Sequence, residues 1–285
     1  MAVAPRSALT PSQLEDYLTR LGVDPRGTPA DLATLRALHL AHLERIPFEN
    51  VDIVFGAGVP HDQSLAVEKI LGTGSSSPRG GWCFELNGAF ALLLEALGYD
   101  VRLLGAAVLL DGPTQVIDHL LLEVTSPFLA PQLVDVGFGD SFDVPLSLNT
   151  AGAQDGGSDD FELIGSPQGT TLTRHVDGVP AALLRFKRVA HAFDDFAPIA
   201  MSMQVDPDKR WATHPFATRR LTADERGTGP DDASAGKQRV SLTSDRLRVT
   251  RAGVVDDEPV ARDRWASELN TWFAMTPPGP WPTEH

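Results

Sequence analysis

The chain has 285 residues, 42% hydrophobic and 22% charged, a composition that excludes a disordered or fibrous protein. With 24 Lys and Arg against 38 Asp and Glu its formal charge is −14, which argues against nucleic acid and anionic membrane surfaces as general partners. Its one cysteine excludes an intrachain disulfide and a Cys-rich metal site; no run approaches about 18 apolar residues and residues 1–10 lack a signal-peptide core, so a cytoplasmic location is expected.

The first part of the chain is predicted helical. Thr10-Pro11-Ser12-Gln13 combines an N-cap, a proline at the first helical position and a reciprocal glutamine. Leu14, Tyr17, Leu18 and Leu21 follow at helical spacing and Gly22 ends the segment. Thr28-Pro29-Ala30-Asp31 repeats the start signal before Leu32, Leu35, Leu38 and Leu43, and Pro47 stops that helix. A short helix spans 65–71, and the Gly- and Ser-rich run 72–78 reads as a loop. A fourth helix follows Arg79-Gly80-Gly81; its stripe of Leu86, Phe90, Leu93, Leu94 and Leu97 predicts deep burial, with Gly98 as the cap.

From Tyr99 the pattern changes to short apolar runs at 101–110, 120–124, 133–136, 161–164 and 182–186, with Asp177-Gly178 as a hairpin turn between 170–174 and the last run. A small barrel or curled sheet is expected. The Gly-rich stretches 151–160 and 226–236 read as surface loops. A hairpin of 238–242 with 247–250, a final helix at 260–273 and a Pro-rich tail at 276–283 complete the chain, which has no internal repeat.

Chemistry concentrates in Arg79-Gly80-Gly81-Trp82-Cys83-Phe84-Glu85-Leu86-Asn87. A lone cysteine is most often a small buried hydrophobe. Cys83, however, sits at a glycine-flanked helix start, where unpaired amides and the positive end of the helix dipole favour a thiolate nucleophile. Such a nucleophile needs a base and a group to orient it. If the runs at 120–124 and 133–136 form an antiparallel hairpin centred near Pro127, paired residue numbers sum to about 254. His119 and Asp135 then stand opposite each other on one face, whereas a one-residue slip would part them. His39 and His42 share a helix face without a third ligand at metal spacing and are expected to be solvated or capped. The Val136-Gly137-Phe138-Gly139-Asp140 turn lacks the third glycine of a dinucleotide fingerprint and reads as a place of close backbone or ligand approach. Arg79 is expected to pair with Glu49 or Asn50 in a structural role, and Glu85 and Asn87 to brace the first turn of the fourth helix.

These segments resemble the arylamine N-acetyltransferases. The likeness rests on Arg79-Gly80-Gly81-Trp82-Cys83-Phe84-Glu85-Leu86-Asn87-Gly88, on Asp118-His119-Leu120-Leu121-Leu122, on Val134-Asp135-Val136-Gly137-Phe138-Gly139, and on Ile46-Pro47-Phe48-Glu49-Asn50-Val51-Asp52. It covers roughly residues 10–145 and departs at 200–208, where many relatives carry an Asn- and Ser/Thr-rich stretch before a proline. The resemblance implies an α+β fold with a transglutaminase-like catalytic core. Its parts are a helical bundle at 1–98, a β-barrel at 99–200 and an α/β lid at 201–285. It also implies a Cys83–His119–Asp135 triad, acetyl-CoA as co-substrate near Gly137, Phe138 and Gly139, no metal or prosthetic group, and an arylamine or arylhydrazine acceptor. Two alternatives keep the triad: an amide synthase that closes a macrolactam from a carrier-bound acyl chain, and a thiol hydrolase.

Overall fold

A computed structural model describes residues 8–24, 27–56, 58–73, 76–226 and 237–281. In chain order the N-terminal elements are α1 (Pro11–Leu21), α2 (Leu32–Arg45), β1 (Phe48–Glu49), α3 (Val51–Val54), α4 (Gln63–Leu71) and α5 (Cys83–Ala96). The α1 start follows the sequence: Gln13 N donates to Thr10 Oγ1 at 3.2 Å and Thr10 N to Gln13 Oε1 at 3.0 Å. In α2 the cap is Asp31, which accepts from Thr34 N at 2.9 Å, and not Thr28, so the proline precedes the helix. α4 begins earlier than expected because the Asp62 carboxylate caps it.

The fourth predicted helix, α5, is buried on all sides from Cys83 to Leu94 and not along one stripe. It packs against α4 on one side and against two barrel strands on the other, so no face is left for water. Its first turn abuts a network of partly buried charges. Lys69 reaches Asp52 (2.8 Å), Glu85 (3.1 Å) and Glu49 (3.5 Å), while Arg79 reaches Asp52 (3.0 Å) and Glu49 (3.3 Å). Arg79 therefore pairs with Glu49 and Asp52; Asn50 is engaged elsewhere. Burial pushes the Glu85 carboxyl up to about 7, with Lys69 opposing and Glu49 assisting. Removing Arg79 leaves three partly or fully buried carboxylates to share Lys69 alone, so Arg79→Ala should cost about 3 kcal/mol. Thermal unfolding checks this, and a melting point equal to the parent's would contradict it.

Eight strands follow: β2 (Asp100–Val108), β3 (His119–Ser126), β4 (Leu129–Val134), β5 (Leu146–Ser147), β6 (Ala153–Asp155), β7 (Asp160–Ser166), β8 (Gly169–Val176) and β9 (Val179–His191). Their order is β5-β4-β3-β2-β9-β8-β7-β6. The ends of this sheet meet through Gln154, whose side chain accepts from Ser147 N (2.8 Å) and donates to Ser147 O (3.0 Å), giving a nearly closed barrel. The predicted turn is present: Asp177 and Gly178 have φ of 51° and 77°, and Val176 pairs with Val179. The stretch 151–160 is not all loop, because β6 pairs with β7 through Gln154 and Phe161.

A 3-10 turn (Phe193–Phe196) leads into α6 (Ala197–Val205), α7 (Arg210–Thr213), β10 (Ala217–Arg220), α8 (Ala223–Arg226), β11 (Arg239–Leu242), β12 (Arg246–Arg251), β13 (Val254–Pro259) and α9 (Arg262–Phe273). The second sheet has the order β1-β10-β11-β12-β13, so a strand of the N-terminal segment completes the C-terminal layer. The predicted hairpin is β11–β12, with Leu242 opposite Leu247, and β13 is an unforeseen third strand. Within the tail, Trp281 packs on Phe55 and Trp265 at centroid distances of 5.8 and 5.3 Å. Most of the loop expected at 226–236 and the last two residues of the tail expected at 276–283 lie outside the described residues.

Candidate active site

Cys83 is the first residue of α5 and is 5% exposed. His119 opens β3, and Asp135 follows the last residue of β4. The strands pair as Leu122↔Val134, Glu123↔Leu133 and Val124↔Gln132, with an irregularity before Ser126↔Leu129. The paired numbers sum to 256 (122 + 134), two more than expected. A shift of two keeps every side chain on its face, so His119 and Asp135 still meet, diagonally. His119 Nε2 lies 2.9 Å from Asp135 Oδ2. The carboxylate can only accept, so Nε2 carries the proton and Nδ1 is left for the sulfur.

The other Asp135 oxygen, Oδ1, accepts from Asn87 Nδ2 and Gly137 N, each at 2.8 Å. Asn87 also donates to Leu120 O at 2.6 Å and accepts from Val136 N at 3.0 Å. Its amide thus ties the nucleophile's helix to β3, which carries the imidazole, and to the turn after β4, which carries the carboxylate. Sequence reasoning gave Asn87 only a bracing role; the available signal was its spacing, one helical turn beyond Cys83. Gly137 is required by contact: a Cβ there would stand 2.8 Å from Cys83 Cα and 2.7 Å from Asn87 Nδ2.

Burial alone pushes His119 down, but the charge and hydrogen bond of Asp135, with Cys83 adding to them, outweigh it and raise the imidazole to about 10. Since this exceeds the ordinary 6.5, the pairing stabilises the fold fully below about pH 6.5 and is lost as pH rises toward 10. Unfolding measured across that window should show declining stability in the parent and a flatter profile in His119→Gln. Identical slopes would contradict the assignment.

His39 and His42 are fully buried and not solvated. His42 Nε2 is 3.0 Å from Tyr17 Oη. His39 lies between two carbonyls, with Nδ1 3.0 Å from Asp143 O and Nε2 3.1 Å from Asp135 O, and stacks on Phe142 at 5.8 Å. It bridges the two ends of the turn that carries Asp135. Burial lowers its pKa, and a neutral ring donates to one of the two carbonyls at a time. Farther along this turn, Asp140 meets Arg174 at 3.0 Å as well as Lys237. Burial opposes its ionisation, but Arg239, Lys237 and Arg174 together bring the carboxyl down to about 2.

Cys83 and His119 open on a cleft of about 680 Å³. Phe48, Trp82, Phe138 and Trp211 supply aromatic walls, and Ile199 and Met203 of α6 form part of the rim. Trp82 and Trp211 stack 13° from parallel at 6.2 Å. Gly137 and Phe138 line the cleft; Gly139 is turned toward Phe48 and Thr218 instead. The segment 200–208, where the resemblance is weakest, forms most of α6 and ends at the cleft with Asp208. A thiol, an imidazole and a carboxylate in hydrogen-bonded sequence at an aromatic cleft can carry out acyl transfer through a thioester.

A family model described as N-acetyltransferase matches residues 31–228. The Salmonella typhimurium protein named arylamine N-acetyltransferase / N-hydroxyarylamine O-acetyltransferase is 37% identical over 158 residues, 54% of this chain and 53% of its own. The chain spans about half the length of the curated relatives it matches. The fold extends the likeness. A solved arylamine N-acetyltransferase from Salmonella typhimurium superposes with a TM-score of 0.81 at 27% identity, covering 94% of this chain and 92% of that one. The Mycobacterium marinum arylamine N-acetyltransferase in complex with CoA gives 0.78 at 28% identity, covering 92% of each. Among the described residues, no helix is long and apolar enough to cross a membrane.

Proposed function

We propose, since the chain belongs to the arylamine N-acetyltransferase family, that it moves an acetyl group from acetyl-CoA, through a thioester on Cys83, to the nitrogen of an arylamine or arylhydrazine. The observation that carries this reading is the hydrogen-bonded pair of His119 and Asp135, 2.9 Å apart, beside Cys83 at the aromatic cleft. Cys83 Sγ, its proton held by His119, attacks the thioester carbonyl of acetyl-CoA. The Cys83 amide at the head of α5 supports the oxyanion. Collapse expels the CoA thiolate, which takes the proton from His119 and leaves acetyl-Cys83. The amine then attacks the acetyl group, neutral His119 accepts the amine proton, and Cys83 departs as thiolate, restoring the starting pair. Asp135 keeps the ring oriented and its charge supported throughout.

The aromatic walls suit a flat acceptor, whose ring gains stacking and burial against Phe138 and Trp211. Gly137 and Phe138, on the cleft wall beside the sulfur, are the parts of the turn suited to contact the donor's arm. In this reading residues 1–98 supply the nucleophile, 99–200 the imidazole, the carboxylate and most of the cleft lining, and 201–285 the side of the cleft formed by Met203 and residues 208–211, in a cytoplasmic enzyme. Free CoA release from acetyl-CoA, followed with and without an arylamine, tests the proposal. Release that depends on the amine is expected. Release to water at an equal rate without amine would instead mark a thiol hydrolase. Loss of the acetyl-CoA reaction, with turnover only of a carrier-bound acyl chain, would mark an amide synthase.

A further inference from the structure

The catalytic cleft has a charge pattern that the acyl-transfer chemistry does not explain. Besides His119, the basic side chains lining it are Lys209 and Arg210, and both are exposed at its mouth. Among the described residues neither makes an ion pair, whereas Arg174, Arg219, Arg220 and Lys237 are each held by a carboxylate. Asp111, Asp118 and Asp208 line the same cleft. Asp208 adjoins the two cations and the charge of Lys209 also acts on Asp118, yet Lys209 and Arg210 are the one place along the cleft where an anion meets two cations.

Buried contacts hold that stretch in place. Asn50, 1% exposed, donates to Trp211 O (2.6 Å) and His214 O (2.9 Å) and accepts from Phe216 N (2.7 Å), fixing the backbone just after Arg210. Lys209 N donates to Asp206 O at 3.1 Å and Lys209 O accepts from Ala212 N at 2.9 Å. The two cations thus sit on a braced turn. Trp211, the next residue, forms part of the cleft wall.

We infer that Lys209 and Arg210 form the phosphate-holding end of the acyl-donor site and take the diphosphate and ribose phosphate of coenzyme A. This inference rests on the acetyl-CoA reading above. The phosphates lie a whole pantetheine arm away from the thioester, so their partners belong at the mouth and not beside the sulfur. A chain of net charge −14 repels such a donor until unpaired cations offset that field locally. Guanidinium and ammonium groups supply charge-assisted hydrogen bonds to phosphate oxygens.

The test compares the parent with a Lys209→Ala/Arg210→Ala variant on two donors, acetyl-CoA and S-acetylpantetheine, which carries no phosphate. Direct CoA binding is followed by calorimetry. Loss of two charge-assisted contacts should lower the acetyl-CoA to S-acetylpantetheine ratio of kcat/KM by about tenfold or more. The CoA Kd should rise by a similar factor, and its dependence on salt should weaken. An unchanged donor ratio with an unchanged CoA Kd overturns the inference, as does an equal fall with both donors. If the parent loads acetyl from neither donor, the acetyl-transfer reading fails, while calorimetry with CoA still decides the role of the two cations.

Discussion

Cys83→Ala should take up no acetyl group from acetyl-CoA, while the parent gains one, mapped to Cys83 by mass spectrometry of the intact and digested protein. Acyl transfer should fall on the order of 10⁶-fold, the scale seen when a covalent nucleophile is deleted. Cys83→Ser should fare little better. Its hydroxyl is far less acidic than a thiol, and His119, already engaged by Asp135, is arranged to stabilise a sulfur anion. The side chain is small and buried at the head of α5, so the fold should survive its truncation. Melting of the variant near the parent temperature separates lost chemistry from lost structure. Acetyl found on another residue of the parent, or loading retained by Cys83→Ala, would remove the basis of the proposed mechanism.

Asp135→Asn carries the second large effect, and the local hydrogen bonds dictate its form. Asp135 Oδ1 accepts from two donors, Asn87 Nδ2 and Gly137 N, so an asparagine must leave its carbonyl there. Its NH₂ group then faces His119 Nε2, which has to become an acceptor. The ring proton moves to Nδ1 and blocks the nitrogen that should receive the proton of Cys83. Activity should drop on the order of 10⁴-fold, as expected for a triad held in the wrong tautomer. Losing the carboxylate charge also lets burial dominate, so His119 should titrate well below the value of about 10 that it reaches beside Asp135. The stability lost between about pH 6.5 and 10 in the parent should therefore largely vanish in the variant. NMR of the imidazole across that window checks the shift. An unshifted His119, or activity within tenfold of the parent, would contradict this role for Asp135.

The hairpin shows how far pattern reading reaches. Placing the turn near Pro127 put the pairing two residues out, because the chain turns at 127–128 and an irregularity before Ser126 shifts the register. The error did no harm to the site, since faces alternate with period two and a two-residue slip preserves them. His39 was the opposite case. Two histidines on one helix face look like surface residues until the barrel and its turn arrive from about a hundred residues away and place the carbonyls of Asp135 and Asp143 beside the ring. Arg79 shows the same limit on a smaller scale: Glu49 was legible as its partner, but Asp52 joins because α3 begins at Val51 and carries it back toward α4.

What the sequence determined by itself was local: which residues start helices, where strands turn, and that a cysteine stands at a helix head with a histidine and an aspartate on one strand face. Those features depend on neighbours a few positions apart, through capping, backbone conformation and the alternation of side chains. The tertiary structure decided what depends on distant segments meeting. It lets Asn87 tie helix to barrel, adds β1 to the C-terminal sheet, and leaves Lys209 and Arg210 as the unpaired cations at the cleft mouth. Packing brings these groups together, and burial then determines how strongly their charges and hydrogen bonds act, which no short stretch of chain encodes.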